Sequence, residues 1–160
     1  LIPQRGSAFR QNTEVSIEAG GSLFYAELLA PGRTAHGEAL QFEELDLRFK
    51  LSVAGRLTSQ ERLLARPDRL WPLRTSDGAP LFIATVVIVV PDKAAQLTAK
   101  ARESLQLQPD CKHGISAVSA STLCIRLAAC SSIPLRQAMR ALRLAIAEDI
   151  PQMRCEMRKL

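Results

Sequence analysis

The stretch 41–54 alternates apolar and polar residues, and this feature most constrains what the chain can fold into. Apolar side chains occupy every second position from Leu45 to Val53, and Asp, Arg, Lys and Ser fill the positions between them. A period of two places the two sets on opposite faces of a β-strand. The pattern predicts a long strand with one packed and one polar face. Gly55 then permits a hairpin turn, and residues 57–64 form the returning strand.

Two shorter strands are predicted before this hairpin. Residues 14–18 (EVSIE) alternate in the same way, and residues 22–29 (SLFYAELL) follow the turn at Gly20-Gly21. Pro31-Gly32 ends the second of them. Residues 1–66 are therefore predicted to be β-rich and antiparallel. One face of this system would pack in the core, and the other would contact water or a bound molecule.

Residues 67–80 are predicted to be a loop because Pro, Gly and Asp recur there. The loop holds the sole tryptophan, Trp71. We expect this ring to pack as a lid over the adjacent core, and a partner anchor is the alternative.

The remainder, residues 81–160, reads as β-α-β-β-α. The apolar run 81–90 predicts a buried strand, and Asp92 is positioned to cap a following helix. A pair of strands at 114–118 and 122–128 precedes a second helix, which Pro134 opens and which continues to about Glu148. Taken together, the chain is predicted to be a single domain of mainly β structure with two helices (α+β). The expected architecture is a layered antiparallel or β-helix-like scaffold.

Composition narrows the function classes. Hydrophobic residues make up 47% and charged residues 23% of the 160-residue chain, and the formal net charge is +5. This balance is typical of soluble globular proteins, and no apolar run approaches the roughly 18–20 residues of a membrane span. The chain starts with Leu and lacks a secretory signal pattern. We therefore expect a processed or truncated cytoplasmic protein whose four cysteines are free thiols.

Motifs for catalysis are not found. The sequence contains no G-x-S-x-G, H-E-x-x-H, phosphate-binding loop or dinucleotide fingerprint, so we expect no enzyme activity. Cys111 and His113 form a weak metal pair, but Pro109 and Gly114 bracket them, which favours solvated loop residues.

Two charged groups of residues are further candidates. Arg136, Arg140 and Arg143 fall on one face of the second predicted helix, either as a solvated face or as a phosphate-binding stripe. Glu27 and Glu61 each lie inside a predicted strand, where they point outward or into a wet channel suited to divalent cations.

The segment 20–38 carries a resemblance to a known family. It contains Gly32-Arg33-Thr34-Ala35-His36-Gly37-Glu38 after an apolar, acid-containing strand. This arrangement resembles the central signature of the urease accessory protein D family, also called H, which reads G-R-x-A-x-G-E. The flanking segments Leu1-Ile2-Pro3-Gln4 and Gly55-Arg56-Leu57 with Glu61-Arg62-Leu63 are also similar to that family. Family members are longer at the N-terminus, so the resemblance implies a chain that lacks the N-terminal portion.

The resemblance implies a nickel-delivery chaperone rather than an enzyme. Its implied partners are a urease accessory F-like protein, a nickel-carrying G-like GTPase and apo-urease, with neither nucleic acid nor membrane involved. Nickel would be bound only transiently, with no tightly held cofactor, and Glu27 and Glu61 stand at positions that the family associates with an internal nickel path. Gly32 and Gly37 would permit turns, and Arg33 would pair with Glu38 or bind backbone carbonyls. Arg136, Arg140 and Arg143 are weak candidates for partner contacts.

Two other interpretations stay open. The chain could be a β-scaffold interaction module without a metal role, which would need only apolar patches and the Trp71 loop. It could also bind nucleic acid through the arginine face of the last helix, although aromatic stacking platforms are scarce at 4% aromatic residues.

Overall fold

A computed structural model describes residues 1–150 and Met153. Its helices and strands run in the following order: β1 Ala8–Ile17, β2 Leu23–Leu29, β3 Gly32–Arg33, β4 Glu38–Ala39, β5 Glu44–Val53, β6 Arg56–Ala65, β7 Phe82–Val89, α1 Ala94–Gln106, β8 Lys112–Ala117, β9 Thr122–Ala129 and α2 Ser132–Ile146.

The strands form three open sheets. A three-stranded sheet has the order β1-β5-β6, a four-stranded sheet has the order β2-β7-β9-β8, and β3 pairs with β4 in a short ribbon. The two larger sheets pack face to face, and both helices cover the other face of the four-stranded sheet. The predicted class, mainly β with two helices in layers, is confirmed. The described residues stack as sheets and do not coil into a β-helix.

The prediction of a purely antiparallel system in residues 1–66 is wrong for one pair of strands. β5 and β6 form the predicted antiparallel hairpin, but β1 pairs parallel to β5 along its whole length. The chain leaves β1, adds β2 to the other sheet and only then returns as β5. Such a crossover brings a strand back in the same direction, whereas a tight turn would reverse it.

The helix layer holds the largest apolar cluster. The apolar sides of both helices are buried against β7 and β9, with Leu97 and Leu105 from α1 and Leu135 and Leu142 from α2 almost inaccessible to solvent. Burying such a face drives helix docking because isolated helices of this length are marginal in water. Among the described residues, neither helix is long and apolar enough to cross a bilayer.

The helix starts differ from the predictions. Asp92 does not cap α1, since its backbone is left-handed (φ 53°) and the capping position belongs to Lys93. α2 begins at Ser132, two residues before Pro134, and ends at Ile146 rather than near Glu148. Proline is still in the first turn, where backbone N–H groups have no partner within the helix.

Trp71 is not the predicted lid. It opens a short 3-10 turn over residues 71–73 and is 77% exposed, whereas Leu73 two residues later is fully buried. The adjacent cluster is therefore closed by the leucine, and the indole ring points to solvent.

The cysteines occupy three different environments. Cys111 is buried, which contradicts its expected place in a solvated loop, and burial raises the pKa of its thiol. Cys124 is half-buried on β9, whereas Cys130 is exposed beyond the end of that strand. These three are free thiols; Cys155 lies outside the described residues.

Asp46 organises the polar face of the three-stranded sheet. Its side chain is 1% exposed, although its strand neighbours on that face are charged and solvated. Arg62 donates two hydrogen bonds to it at 2.8 and 3.0 Å, and Arg48 adds a bond of 2.9 Å. These bonds, first from Arg62 and then from Arg48, hold the pKa of Asp46 well below its usual value.

We predict that Asp46→Asn destabilises the protein above pH 5 and makes its free energy of unfolding less dependent on pH in the acid range. A depressed carboxyl pKa adds stability above the unfolded value, and this contribution is lost as the pH falls below about 4. Because the guanidinium groups are half-exposed and solvent-screened, we expect a loss of about 1–2 kcal/mol in urea unfolding at neutral pH. Exposed Asp68→Asn is the control, and equal effects of the two substitutions would contradict this role of Asp46.

Candidate functional site

The two large sheets enclose a polar belt between two apolar clusters. One cluster includes Leu29, Leu47 and Ile83, and the other includes Phe49 and Val87. Between them the inward positions are polar or charged. In most β-sandwiches the inward residues of both sheets are apolar and form the core. The inward polar residues of this belt are Gln11, Thr13, Glu27, Glu61, Thr85 and Arg126.

A cavity of about 120 Å³ lies within the belt. Glu27 on β2 and Glu61 on β6 both line it, although they come from different sheets. Tyr25, Thr85 and Arg126 line it as well. A polar space of this size has room for several water molecules.

Glu27 is held by two neutral donors. Gln11 from β1 donates to its Oε1 atom at 2.6 Å, and the Tyr25 hydroxyl donates to its Oε2 atom at 3.2 Å. Burial, then the charge of Glu27, raises the pKa of Tyr25, so the phenol stays protonated and keeps donating. Because neither donor carries a charge, the Glu27 carboxylate can still pair with a cation.

Glu61 is held by a charged donor. Arg126 on β9 donates through Nη2 to Glu61 Oε2 at 2.5 Å and through Nη1 to Thr85 Oγ1. The guanidinium therefore bridges the two sheets and compensates the half-buried carboxylate. A cation that binds Glu61 has to compete with Arg126.

A thiol lies close to this charge pair. Cys124, two residues before Arg126, has its sulfur 4.0 Å from the hydroxyl oxygen of Ser59. Burial, and secondarily Glu61, raises the pKa of the Cys124 thiol. The metal-binding form of cysteine is the thiolate, so this sulfur is a weak ligand at neutral pH.

The belt does not provide a closed metal site. Within residues 1–150 and Met153, no three His, Cys, Asp or Glu side chains come together in a way that holds a metal ion. In particular, His113 is exposed on β8 while the adjacent Cys111 is buried, so the two do not act as a pair. Two separated carboxylates and water suit a hard or borderline divalent cation that binds weakly.

The residues of the Gly32–Glu38 motif build a tight turn outside the cavity. Arg33 and Glu38 face each other in the β3–β4 ribbon and form a bidentate ion pair, with two hydrogen bonds of 2.8 Å. These bonds lower the pKa of Glu38 and raise that of Arg33. Gly37 ends the intervening 3-10 turn in the left-handed conformation (φ 72°).

Gly32 has no space for a side chain. Its φ is +138°, and a Cβ atom there would lie 2.1 Å from the backbone oxygen of Glu38. The motif thus requires glycine at this position for a close backbone approach between β3 and β4.

The three arginines of α2 do not act as one set. Arg136 and Arg140 are exposed, whereas Arg143 is half-buried and donates to the backbone oxygen of Met153 at 3.1 Å. All three lie in the helix layer, on the side of the four-stranded sheet opposite the cavity.

Sequence reasoning missed Arg126 and Gln11 as site residues. A usable signal existed for Arg126, because Cys124, Arg126 and Ala128 alternate with buried leucine and isoleucine along β9. Gln11 gave no such signal, since its contact with Glu27 depends on the packing of two sheets.

Comparison with known proteins identifies the family. The sequence profile described as "UreD urease accessory protein" matches residues 1–159. The chain belongs to the UreD urease accessory protein family.

Individual UreD-family relatives agree with this assignment. Urease accessory protein UreD of Opitutus terrae is 34% identical over the whole chain, and the match covers 59% of that relative. Urease accessory protein UreH of Helicobacter acinonychis is 27% identical over 95% of the chain, and the match covers 55% of that relative. The chain therefore spans little more than half the length of these relatives.

We predict that Gly32→Ala destabilises the protein far more than Gly37→Ala. Both glycines have positive φ, but only at Gly32 does an added methyl group collide with backbone. We expect a loss of at least about 2 kcal/mol for Gly32→Ala and about 1 kcal/mol for Gly37→Ala in urea unfolding. Equal losses would show that the β3–β4 ribbon adjusts without cost.

Proposed function

We propose that this protein serves urease maturation as a nickel-delivery chaperone, and that Ni²⁺ passes through the cavity between its two sheets. The partners would be an accessory F-like protein, a nickel-carrying G-like GTPase and apo-urease. The observation that carries the proposal is the pairing of Glu27 and Glu61, from opposite sheets, on one cavity in a UreD-family chain. The accessory role in the names of the relatives supports a function without catalysis.

The donor set fits a cargo ion better than a resident one. A delivered ion must exchange its ligands faster than a structural one, so few protein ligands and many waters are an advantage. Glu27 offers an anionic oxygen next to two neutral donors. Glu61 shares its negative charge with Arg126, which limits how firmly the ion is held.

The protein would position and release the ion without transforming it. Gln11 and Tyr25 fix the orientation of Glu27, so its carboxylate needs little reorganisation when the ion arrives. The apolar clusters on both sides of the belt confine water and charge to the cavity. An ion in the belt would therefore remain close to the carboxylates and not spread along the sheet interface.

The alternative is a β-scaffold interaction module without a metal role. The exposure of Trp71 favours protein contact, because a large indole ring in solvent is a common anchor at interfaces. The two functions differ in whether the cavity carboxylates are needed.

We predict that Glu27→Gln combined with Glu61→Gln slows the activation of apo-urease about tenfold or more. The assay measures urease activity over time with the accessory proteins and Ni²⁺ present. The amides keep the shape of both side chains but remove the charges that attract a cation. The control removes two exposed carboxylates, Glu18→Gln with Glu43→Gln, and is expected to activate normally.

Size-exclusion chromatography of the same mixtures separates the two functions. If the cavity variant still joins the complex but activates poorly, the nickel path is supported. If it joins the complex and activates like wild type, the cavity is not the path and the scaffold function is favoured.

We predict that Arg126→Gln raises the affinity of the protein for Ni²⁺ about tenfold, because Glu61 loses its competing cation. Isothermal titration calorimetry measures the change. Adding Glu61→Gln to Arg126→Gln should cancel the gain, and Arg136→Gln, which removes an exposed arginine of α2, should leave the affinity unchanged. A gain that persists without the Glu61 charge would contradict this competition.

A further inference from the structure

The outward face of the three-stranded sheet carries an unusual excess of positive charge. It is formed by the alternate residues of β1, β5 and β6 that point away from the cavity, together with Arg66, which directly follows β6 and pairs with Glu44. Five basic side chains share this face with three acidic ones. The basic residues are Arg10, Arg48, Lys50, Arg62 and Arg66, and the acidic residues are Glu14, Glu44 and Asp46. We call this surface the arginine face.

Two arginines at its centre stand directly opposite each other. Arg48 and Arg62 are register partners across the β5–β6 pair. Like charges in this arrangement repel, and here only the single carboxylate of Asp46 lies between them. Arg10 also approaches Asp46, at 3.5 Å, and Glu44, at 3.4 Å, so three guanidinium groups share two carboxylates, and Glu44 is in addition bound by Arg66. The centre of the face therefore keeps a net positive charge.

The two central guanidinium groups retain free donors. Each uses Nε and Nη2 for Asp46, and neither Nη1 atom donates to any residue in the described part of the chain. The side chains of Arg48 and Arg62 are 48% and 50% exposed, so a ligand can reach them. Because Asp46 already fixes their rotamers, binding costs less side-chain entropy than it would at free arginines.

The shape of the face favours an extended ligand. A shallow, open groove lies over it and is lined by residues of all three strands. A single phosphate ion would fill a small part of this groove, whereas a segment of chain would contact several cations at once. The groove shares Arg48, Phe49, Glu61 and Arg62 with the lining of the cavity, so a bound segment would lie beside the candidate nickel path.

The three acidic residues on the arginine face favour a protein ligand over a nucleic acid. Glu14, Glu44 and Asp46 interrupt the positive charge and would repel an evenly charged phosphate chain. The outward positions of the described strands also lack an aromatic ring on which bases could stack. A peptide, in contrast, can place each carboxylate at an arginine and avoid the acidic positions.

We propose that the arginine face is a docking site for an aspartate- and glutamate-rich segment of a protein partner, with carboxylates bound between Arg48 and Arg62. This proposal does not depend on the proposed nickel path, because binding of an acidic segment requires no metal.

Fluorescence anisotropy with a labelled oligoglutamate peptide tests the proposal in the absence of nickel. Wild-type protein should bind the peptide, and Arg48→Gln combined with Arg62→Gln should weaken binding about tenfold at low salt. The control, Arg136→Gln with Arg140→Gln, removes the same charge from the helix layer and should change binding less than about twofold. Circular dichroism checks that each variant is folded.

Two further measurements keep the test decisive if the glutamine pair disturbs the sheet. Arg48→Lys with Arg62→Lys keeps the charge but loses the forked donors, and it should bind about threefold more weakly than wild type. Arg10→Gln removes an exposed cation at the edge of the groove and should also weaken binding. Equal loss in the helix control, no binding by wild type, or tighter and equally Arg48-dependent binding of a labelled DNA oligonucleotide would each overturn the proposal.

Discussion

Two carboxylates face inward between the sheets of a β-sandwich, and the rest of the interface is arranged around them. Burying a carboxylate is costly unless hydrogen bonds or an opposite charge compensate it. The chain compensates Glu27 with the neutral donors Gln11 and Tyr25, and it compensates Glu61 with the charged donor Arg126. The polar belt, the cavity and the division of the core into two apolar clusters all follow from this arrangement.

The different treatment of the two carboxylates gives the cavity its chemical character. Glu27 is held by neutral donors alone, whereas Glu61 is already paired with a cation belonging to the protein. In the proposed function, a site built in this way would bind a divalent ion without enclosing it, which suits an ion in transit. The outward face of the same three-stranded sheet reverses the pattern, because there one carboxylate, Asp46, gathers several arginines. A single sheet thus separates an interior that holds two carboxylates from a surface rich in arginine.

Local patterns in the sequence predicted most of the strands and helices but not how they pack against one another. Alternation predicted the β5–β6 hairpin, because that pairing depends on residues close in sequence. The parallel pairing of β1 with β5 was not predicted, since it depends on where the intervening chain travels. Trp71 was also misjudged, because a nearby leucine fills the place expected for the ring. Glu27 and Glu61 could be selected through a family resemblance. Their position on one cavity and the contact of Arg126 with Glu61 depend on the packing of two sheets.

The most direct test of the central claim is to locate nickel in the protein itself. Crystals grown with Ni²⁺ and measured at the nickel absorption edge would reveal the ion by its anomalous signal. Our account predicts a partly occupied peak in the cavity beside Glu27, which strengthens and moves toward Glu61 in Arg126→Gln. Peaks confined to exposed histidines such as His36 and His113, with an empty cavity in both proteins, would contradict it.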